Sequence, residues 1–345
     1  MRPERVYGEM KGLEIAGAYY KEYGEPMLRE KFPGLMPFIA AGLTGSGSEC
    51  WGFDDEVSRD HDFEPGFCLF LPGEDVVDRR TAFELERAYA ALPKEFMGLR
   101  RSLVSPVGGP RHGVLRTAEF MKDKVGKEDG NLSLMEWLYM PDYVLAEAVN
   151  GEIFMDGYGE VTAIRERLMH RPEDVRIKKL AGQLLLMGQS GQYNYRRCLQ
   201  HGETGAAQLA AVEFVKSSMA AVFLLNGVYQ PYYKWSFRAM RALPKLAITA
   251  ELLEYLLTTD NEADTAEEKY NVMEGIAADI AGELQEQGLA GEPQDHGLTG
   301  TDADGEPRGR GLTGAVGADL EKYAYLINDR IGDAQIRNMH VLAAV

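Results

Sequence analysis

The chain has 345 residues, 45% hydrophobic and 26% charged, enough for a packed core in two domains of ordinary size and too apolar for global disorder. Its formal net charge of -17 argues against bulk nucleic acid as a partner, because a polyphosphate backbone needs a positive surface. No run of about 18 apolar residues is present, so neither a transmembrane helix nor a membrane partner is expected.

The N-terminus, MRPERVYGEM, has basic residues with no apolar stretch behind them, so no secretory signal is expected. Cys50, Cys68 and Cys198 are scattered without metal-ligand spacing, which suits a reducing, cytoplasmic location.

In chain order, residues 8 to 31 read as a helix, with Leu13, Ile15, Ala16, Tyr19 and Tyr20 at helical spacing and Pro33 just beyond its end. The run LMPFIAAGL, 35 to 43, reads as a buried strand, followed by the turn GSGSE. FCLFL, 67 to 71, is the next strand, between Gly66 and Pro72. Residues 77 to 101 read as helical, and 113 to 117 as a short strand. From 131 the pattern is helical, with long runs at 174 to 189, 205 to 226 and 245 to 258. Residues 288 to 317 are rich in Gly, Asp, Thr and Glu and read as a flexible segment, after which DLEKYAYLINDRIGDAQIRNM returns to helical spacing. The expected fold class is α+β, a small mixed sheet in residues 1 to 130 followed by a mostly helical body in 131 to 345.

The chemistry concentrates between Gly45 and Asp62. Small residues at Gly45, Ser46, Gly47 and Ser48 let backbone amides and hydroxyls come close to phosphate oxygens. In an extended segment residues two apart point the same way, so Asp60 and Asp62 converge while His61 points opposite. Two convergent carboxylates suit magnesium, which takes oxygen ligands together with substrate phosphates and neutralises charge developing in phosphoryl transfer.

A Gly-Ser turn, about a dozen residues and then Asp-x-Asp resembles the nucleotidyltransferases of the DNA polymerase beta superfamily. The blocks GSGSECWGFDDEVSRDHD, LSLMEWL, FMDGYGEVTAIRERL and YQPYYKW together resemble the bacterial family of unknown function DUF4037. That resemblance implies a nucleotidyltransferase head on a helical body. Its expected activity is magnesium-dependent transfer of a nucleoside monophosphate from a nucleoside triphosphate, such as ATP, to a small-molecule or protein acceptor. Asp60 and Asp62 would be the catalytic metal ligands, and Gly45, Ser46, Gly47, Ser48, Arg59 and Lys234 would bind the nucleotide. The resemblance departs at the strand GVLRTAEF, where a third carboxylate is usual and Leu115 stands, with Glu119 nearest on the following helix.

Alternatives stay open residue by residue. Arg59 either contacts phosphate or pairs with Glu56 or Asp55, and Lys234 either reaches a triphosphate or lies over Trp235 and Tyr232. Trp51 reads as packing its loop, Asp54 and Asp55 as a surface turn, and Tyr232 and Tyr233 as core or cleft wall. Glu203 and Glu213 read as helix-surface carboxylates or as a general base. For the whole chain, a catalytically silent nucleotide sensor or partner-binding pseudoenzyme is the alternative to an enzyme, and the spacing sets no oligomeric state.

Overall fold

The computed structural model describes residues 10–57, 64–101, 112–291 and 318–345. The chain forms two compact units, one of residues up to Ser133 with Met140–His170, the other of Leu134–Tyr139 with Arg171–Val345. The first combines a mixed sheet with helices and the second is helical among the described residues, the α+β class expected.

The helix expected over 8 to 31 is α1 (Gly12–Tyr19) and α2 (Glu25–Lys31), joined by a π-helical turn at Tyr20–Gly24. The wider turn lays Tyr19 and Tyr20 against the Phe67 ring, with centroids 5.9 and 5.2 Å away. Pro37 sits in a 3-10 turn, Met36–Phe38, so the first strand, β1 (Ala40–Leu43), starts later than the run of apolar residues suggests. Strand β2 (Cys68–Leu71) lies where FCLFL places it.

Helix α3 (Arg79–Ala90) is shorter than the expected 77 to 101, because Pro93 cannot continue it. The chain instead makes a hairpin of β3 (Glu95–Phe96) and β4 (Leu99–Arg100) around Met97 and Gly98, both at positive φ. Next come β5 (Gly113–Arg116), α4 (Thr117–Val125), α5 (Leu134–Tyr139, in the second unit) and α6 (Asp142–Val149). A strand then appears where helices were expected: β6 (Glu152–Asp156) precedes α7 (Glu160–Met169).

The four-stranded sheet has the order β5-β2-β1-β6. β1 is antiparallel to both neighbours, and β2 runs parallel to β5. One face, with Ala41, Leu69 and Leu71, packs on Ile15, Tyr19, Leu28 and Leu85. The other, with Ala40, Cys68 and Phe70, packs on Val161 and Phe120. Burial on both faces is why β2 is apolar at every position. At its entry the Tyr89 hydroxyl donates to the Phe67 carbonyl (2.7 Å), which also accepts from the Gly113 amide of β5 (3.0 Å), and accepts from the Phe67 amide (3.1 Å).

In the second unit, α8 (Glu173–Met187) continues through a π-helical stretch, Gly188–Asn194, into α9 (Tyr195–Gln200). Helices α10 (Thr204–Leu225), α11 (Tyr233–Met240), α12 (Thr249–Thr258), α13 (Ala263–Glu286), α14 (Leu320–Asn328) and α15 (Ala334–Asn338) follow. By length and composition α10 is apolar enough to cross a membrane, but 61% of its most apolar window is buried within the protein, as in a core helix. The buried Lys269 donates to Gln208 Oε1, Thr259 O and Asn261 Oδ1 at 2.8 to 3.1 Å, and burial lowers its pKa. Most of the segment expected to be flexible, residues 292 to 317, lies outside the described residues.

Gly24 tests the packing of the π turn. A Cβ at this position would lie 2.4 Å from the Phe67 ring. Gly24→Ala is expected to lower unfolding free energy by about 1–3 kcal/mol through overpacking, measured by urea denaturation. An unchanged or raised midpoint would contradict the contact.

Candidate functional site

The turn after β1 is held by residues more than a hundred positions away in sequence. Asn150, just past α6, binds both backbone groups of Gly45: its Oδ1 accepts from the Gly45 amide (2.9 Å) and its Nδ2 donates to the Gly45 carbonyl (2.7 Å). A side-chain amide thus pairs Gly45 much as a neighbouring strand would, and Gly45 takes a φ of 128° that side chains rarely adopt. The Thr44 hydroxyl lies 3.1 Å from Asn150 Oδ1 and accepts from Arg165 Nη1 at 3.0 Å. Arg165, buried on α7, also donates to the carbonyls of Val149 (3.0 Å) and Asn150 (2.8 Å). Its charge sits on the carbonyl-rich C-terminal end of α6, where a cation is favoured, although burial pulls the guanidinium below its ordinary pKa.

A second tie fixes the far end of the turn, where the Gly151 amide donates to the Cys50 carbonyl at 2.9 Å. Gly151 has φ 66°, and a Cβ there would lie 1.9 Å from the Leu43 carbonyl oxygen, so only glycine fits. Between the two ties, Ser48–Trp51 forms a 3-10 turn. Trp51 stacks on Phe53 (centroids 6.2 Å, 16° between planes), so it packs its own loop as expected. Asp54 does not sit on a surface turn: it is 1% exposed, and its Oδ2 accepts from the Gly12 amide (3.0 Å) at the N-terminal end of α1. A carboxylate is favoured there by the helix dipole.

The clamped turn forms one wall of a cleft of about 270 Å³ within the first unit. Gly45, Ser46, Gly47 and Glu49 line it on this side. Among the described residues, no acceptor takes the amides of Ser46, Gly47 or Ser48, so these donors could meet an anion. Across the cleft stand Leu115 and Arg116 of β5, then Glu119, Phe120, Asp123 and Lys124 of α4. Leu115 pairs with Phe70 in the sheet, so the strand position expected to hold an acid holds leucine. Glu119 lies on the helix, as expected, and faces the same cleft.

Both cations of the lining are already engaged: Arg116 Nη1 donates to the Pro72 carbonyl (2.6 Å), and Lys124 pairs with Glu147 (3.0 Å). Cys68 also lines the cleft, but burial pushes its thiol up to about 12, so it stays protonated and poorly nucleophilic.

Arg59, Asp60, His61 and Asp62 lie outside the described residues. Among the described residues, no group of three or more His, Cys, Asp or Glu side chains is arranged to hold a metal ion. Lys234 belongs to the second unit, on α11, with its Nζ 4.9 Å from the Trp235 ring centroid. Of the two places expected for Tyr232 and Tyr233, core or cleft wall, their exposure (47% and 74%) rules out the core. Glu203 is exposed beside α10, and Glu213 pairs with Lys216 at 3.4 Å.

Sequence reading missed Asn150 and Arg165. A signal for Arg165 was present: it shares the apolar stripe of α7 with Val161, Ile164 and Leu168, where a charged residue is buried and needs partners.

Residues 137–236 match the family model described as domain of unknown function (DUF4037). The match takes in Asn150, Gly151, Arg165 and Lys234 but not the turn at 45 to 52. A solved structure described as a nucleotidyltransferase-like protein from Exiguobacterium sibiricum is similar at 13% identity, covering 77% of this chain and 76% of that one, with a TM-score of 0.34. A likeness that distant carries no structural argument. No curated protein matches the chain.

Removing the Asn150 side chain strands two backbone groups of Gly45. Asn150→Ala is expected to cost about 1–3 kcal/mol for each buried group left unpaired, and Gly151→Ala to cost at least as much through the clash with Leu43. Chemical denaturation measures both. Near-wild-type stability in Asn150→Ala would show that the turn is held some other way.

Proposed function

We propose that the cleft binds a nucleoside triphosphate and transfers its nucleoside monophosphate to a hydroxyl of a small-molecule or protein acceptor. The observation that carries this reading is the turn clamped at Gly45, whose Ser46, Gly47 and Ser48 amides meet no acceptor among the described residues and whose strand is followed in sequence by Asp60-His61-Asp62 and then β2. In this reading the turn amides and the Ser46 and Ser48 hydroxyls hold phosphate oxygens, and Arg59 contacts the triphosphate. Asp60 and Asp62 hold magnesium, which neutralises charge on the phosphates when bound.

The acceptor oxygen attacks the α-phosphorus, the bond to the bridging oxygen of pyrophosphate breaks, and the hydroxyl proton passes to a base. An acidic protein suits a donor that arrives with its cation, since the metal screens carboxylates from phosphates. A cytoplasmic setting, where ATP and magnesium are both available, belongs to the same reading.

A second reading rests on Leu115, which stands in β5 where an acid would complete the metal site. In this reading the chain senses nucleotide without turning it over.

Melting of the protein with each of the four nucleoside triphosphates, with and without magnesium, tests the site. The expected result is a rise of several degrees that requires both nucleotide and metal. Asp60→Asn and Asp62→Asn are each expected to keep the fold and lower pyrophosphate release by about a hundredfold or more, since each removes a charge from the metal site. Unchanged turnover in both variants contradicts the metal assignment, and a melting shift without pyrophosphate release favours the sensor.

A further inference from the structure

Charge is divided unevenly along the helical unit. The chain carries a net charge of -17, yet residues 214 to 250 hold five Lys and Arg and no Asp or Glu. Residues 251 to 268, immediately after, hold seven Asp and Glu and no Lys or Arg. The fold keeps the two blocks side by side: Lys234 and Arg238 lie exposed on α11, and Glu251 and Glu254 lie exposed on α12. Arg241, just past α11, pairs with Glu254 at the border between them. Away from that border, Lys234, Glu251 and Glu262 make no ion pair among the described residues.

Apolar side chains stand out of the same region. Tyr232 and Tyr233 at the start of α11 are exposed, and Ile248, just before α12, is 57% exposed. Ile248 follows a firmly held loop. Asn226 Nδ2 donates to the Lys245 carbonyl (3.1 Å) and its Oδ1 accepts from the Lys245 amide (3.1 Å), while Lys245 Nζ pairs with the buried Glu283. The next residue, Leu246, is held at φ 58°, a strained conformation for a bulky side chain. The loop is therefore fixed in a form that leaves Ile248 in solvent.

We infer that the face formed by α11, this loop and α12 is the interface of a dimer, with a second copy of the chain as its occupant. A two-fold axis lays the basic part of one copy on the acidic part of the other and repeats the contact, so the unmatched charges of both signs are met at once. The exposed tyrosines and Ile248 then lie within the contact, with the charges around them as a rim. A polyanion, whether nucleic acid or an anionic bilayer, would match α11 and be repelled by the acids that follow it. A cationic partner would fail in the opposite way. Two copies of an acidic chain repel at long range, so local matching of this kind is what favours their association. No nucleotide takes part, and the inference stands apart from the nucleotidyltransferase reading.

Sedimentation equilibrium of the full chain at micromolar concentration tests it. The wild type is expected to show the mass of two chains. Lys234→Glu/Arg238→Glu reverses the basic part of the face, and Glu251→Lys/Glu262→Lys reverses unpaired acids of the other part. All four side chains are exposed, so each variant is expected to melt as a folded protein. Each is expected to sediment as a monomer, with a dissociation constant raised about a hundredfold or more. An equimolar mixture of the two variants is expected to regain the two-chain mass, because each supplies the charge that the other lacks.

A monomeric wild type would overturn the inference. So would a dimer that survives both reversals, since the interface then lies elsewhere. A mixture that stays monomeric, while both variants melt as folded proteins, would overturn it as well, since the two parts of the face then do not meet. Should a reversal variant lose its cooperative melt, Ile248→Asp decides: it introduces a favoured residue type at the start of α12 and is expected to keep the fold and dissociate the dimer, whereas a retained dimer contradicts the inference.

Discussion

The pairing of one side chain, Asn150, with both backbone groups of Gly45 is the constraint on which the first unit's cleft depends. A glycine- and serine-rich turn has high conformational entropy and does not by itself present amides in a fixed array. Asn150 supplies the missing order at one end, and the Gly151 amide on Cys50 supplies it at the other. These ties require β6 to pair with β1 in its observed register, which in turn requires Gly151 to pass within a side chain's reach of Leu43. Arg165 completes the assembly by joining Thr44 to the C-terminal carbonyls of α6. Stability of the fold and geometry of the turn are therefore carried by the same few groups.

Electrostatics gives the cleft two characters. The turn offers amide donors, which suit an anion, yet Glu49 lies on the same turn and Glu119 and Asp123 face it. An anion can occupy such a place when a cation comes with it, through the strong attraction available in a partly desolvated cleft. A nucleotide with its metal would satisfy both requirements. The cleft's thiol, Cys68, is held neutral by burial and adds packing in place of chemistry.

Much of the architecture was legible because it rests on local patterns. FCLFL is apolar throughout because β2 is buried on both faces, and the long helices of the second unit follow their 3.6-residue periodicity. The elements missed depend on contacts distant in sequence. β6 is an edge strand of mixed polarity, EIFMD, that becomes a strand through its pairing with β1. The β3–β4 hairpin was absorbed into a helix although Pro93 and Gly98 mark a break. At the site, the turn was readable from GSGSE, and Glu119 was readable as an acid on the helix after β5. The clamp was not, since its bonds to the turn each join residues more than a hundred positions apart. Asp54 was misread because an Asp-Asp pair after a glycine looks like a turn, and only the third dimension brings it to the Gly12 amide.

Amide hydrogen exchange over the turn tests most directly whether the clamped residues receive a nucleotide. With magnesium and a nucleoside triphosphate added, exchange at Ser46, Gly47 and Ser48 is expected to slow, because phosphate oxygens would take up amides that have no acceptor among the described residues. Unchanged exchange at these three positions, with protection arising elsewhere in the chain, would contradict the account.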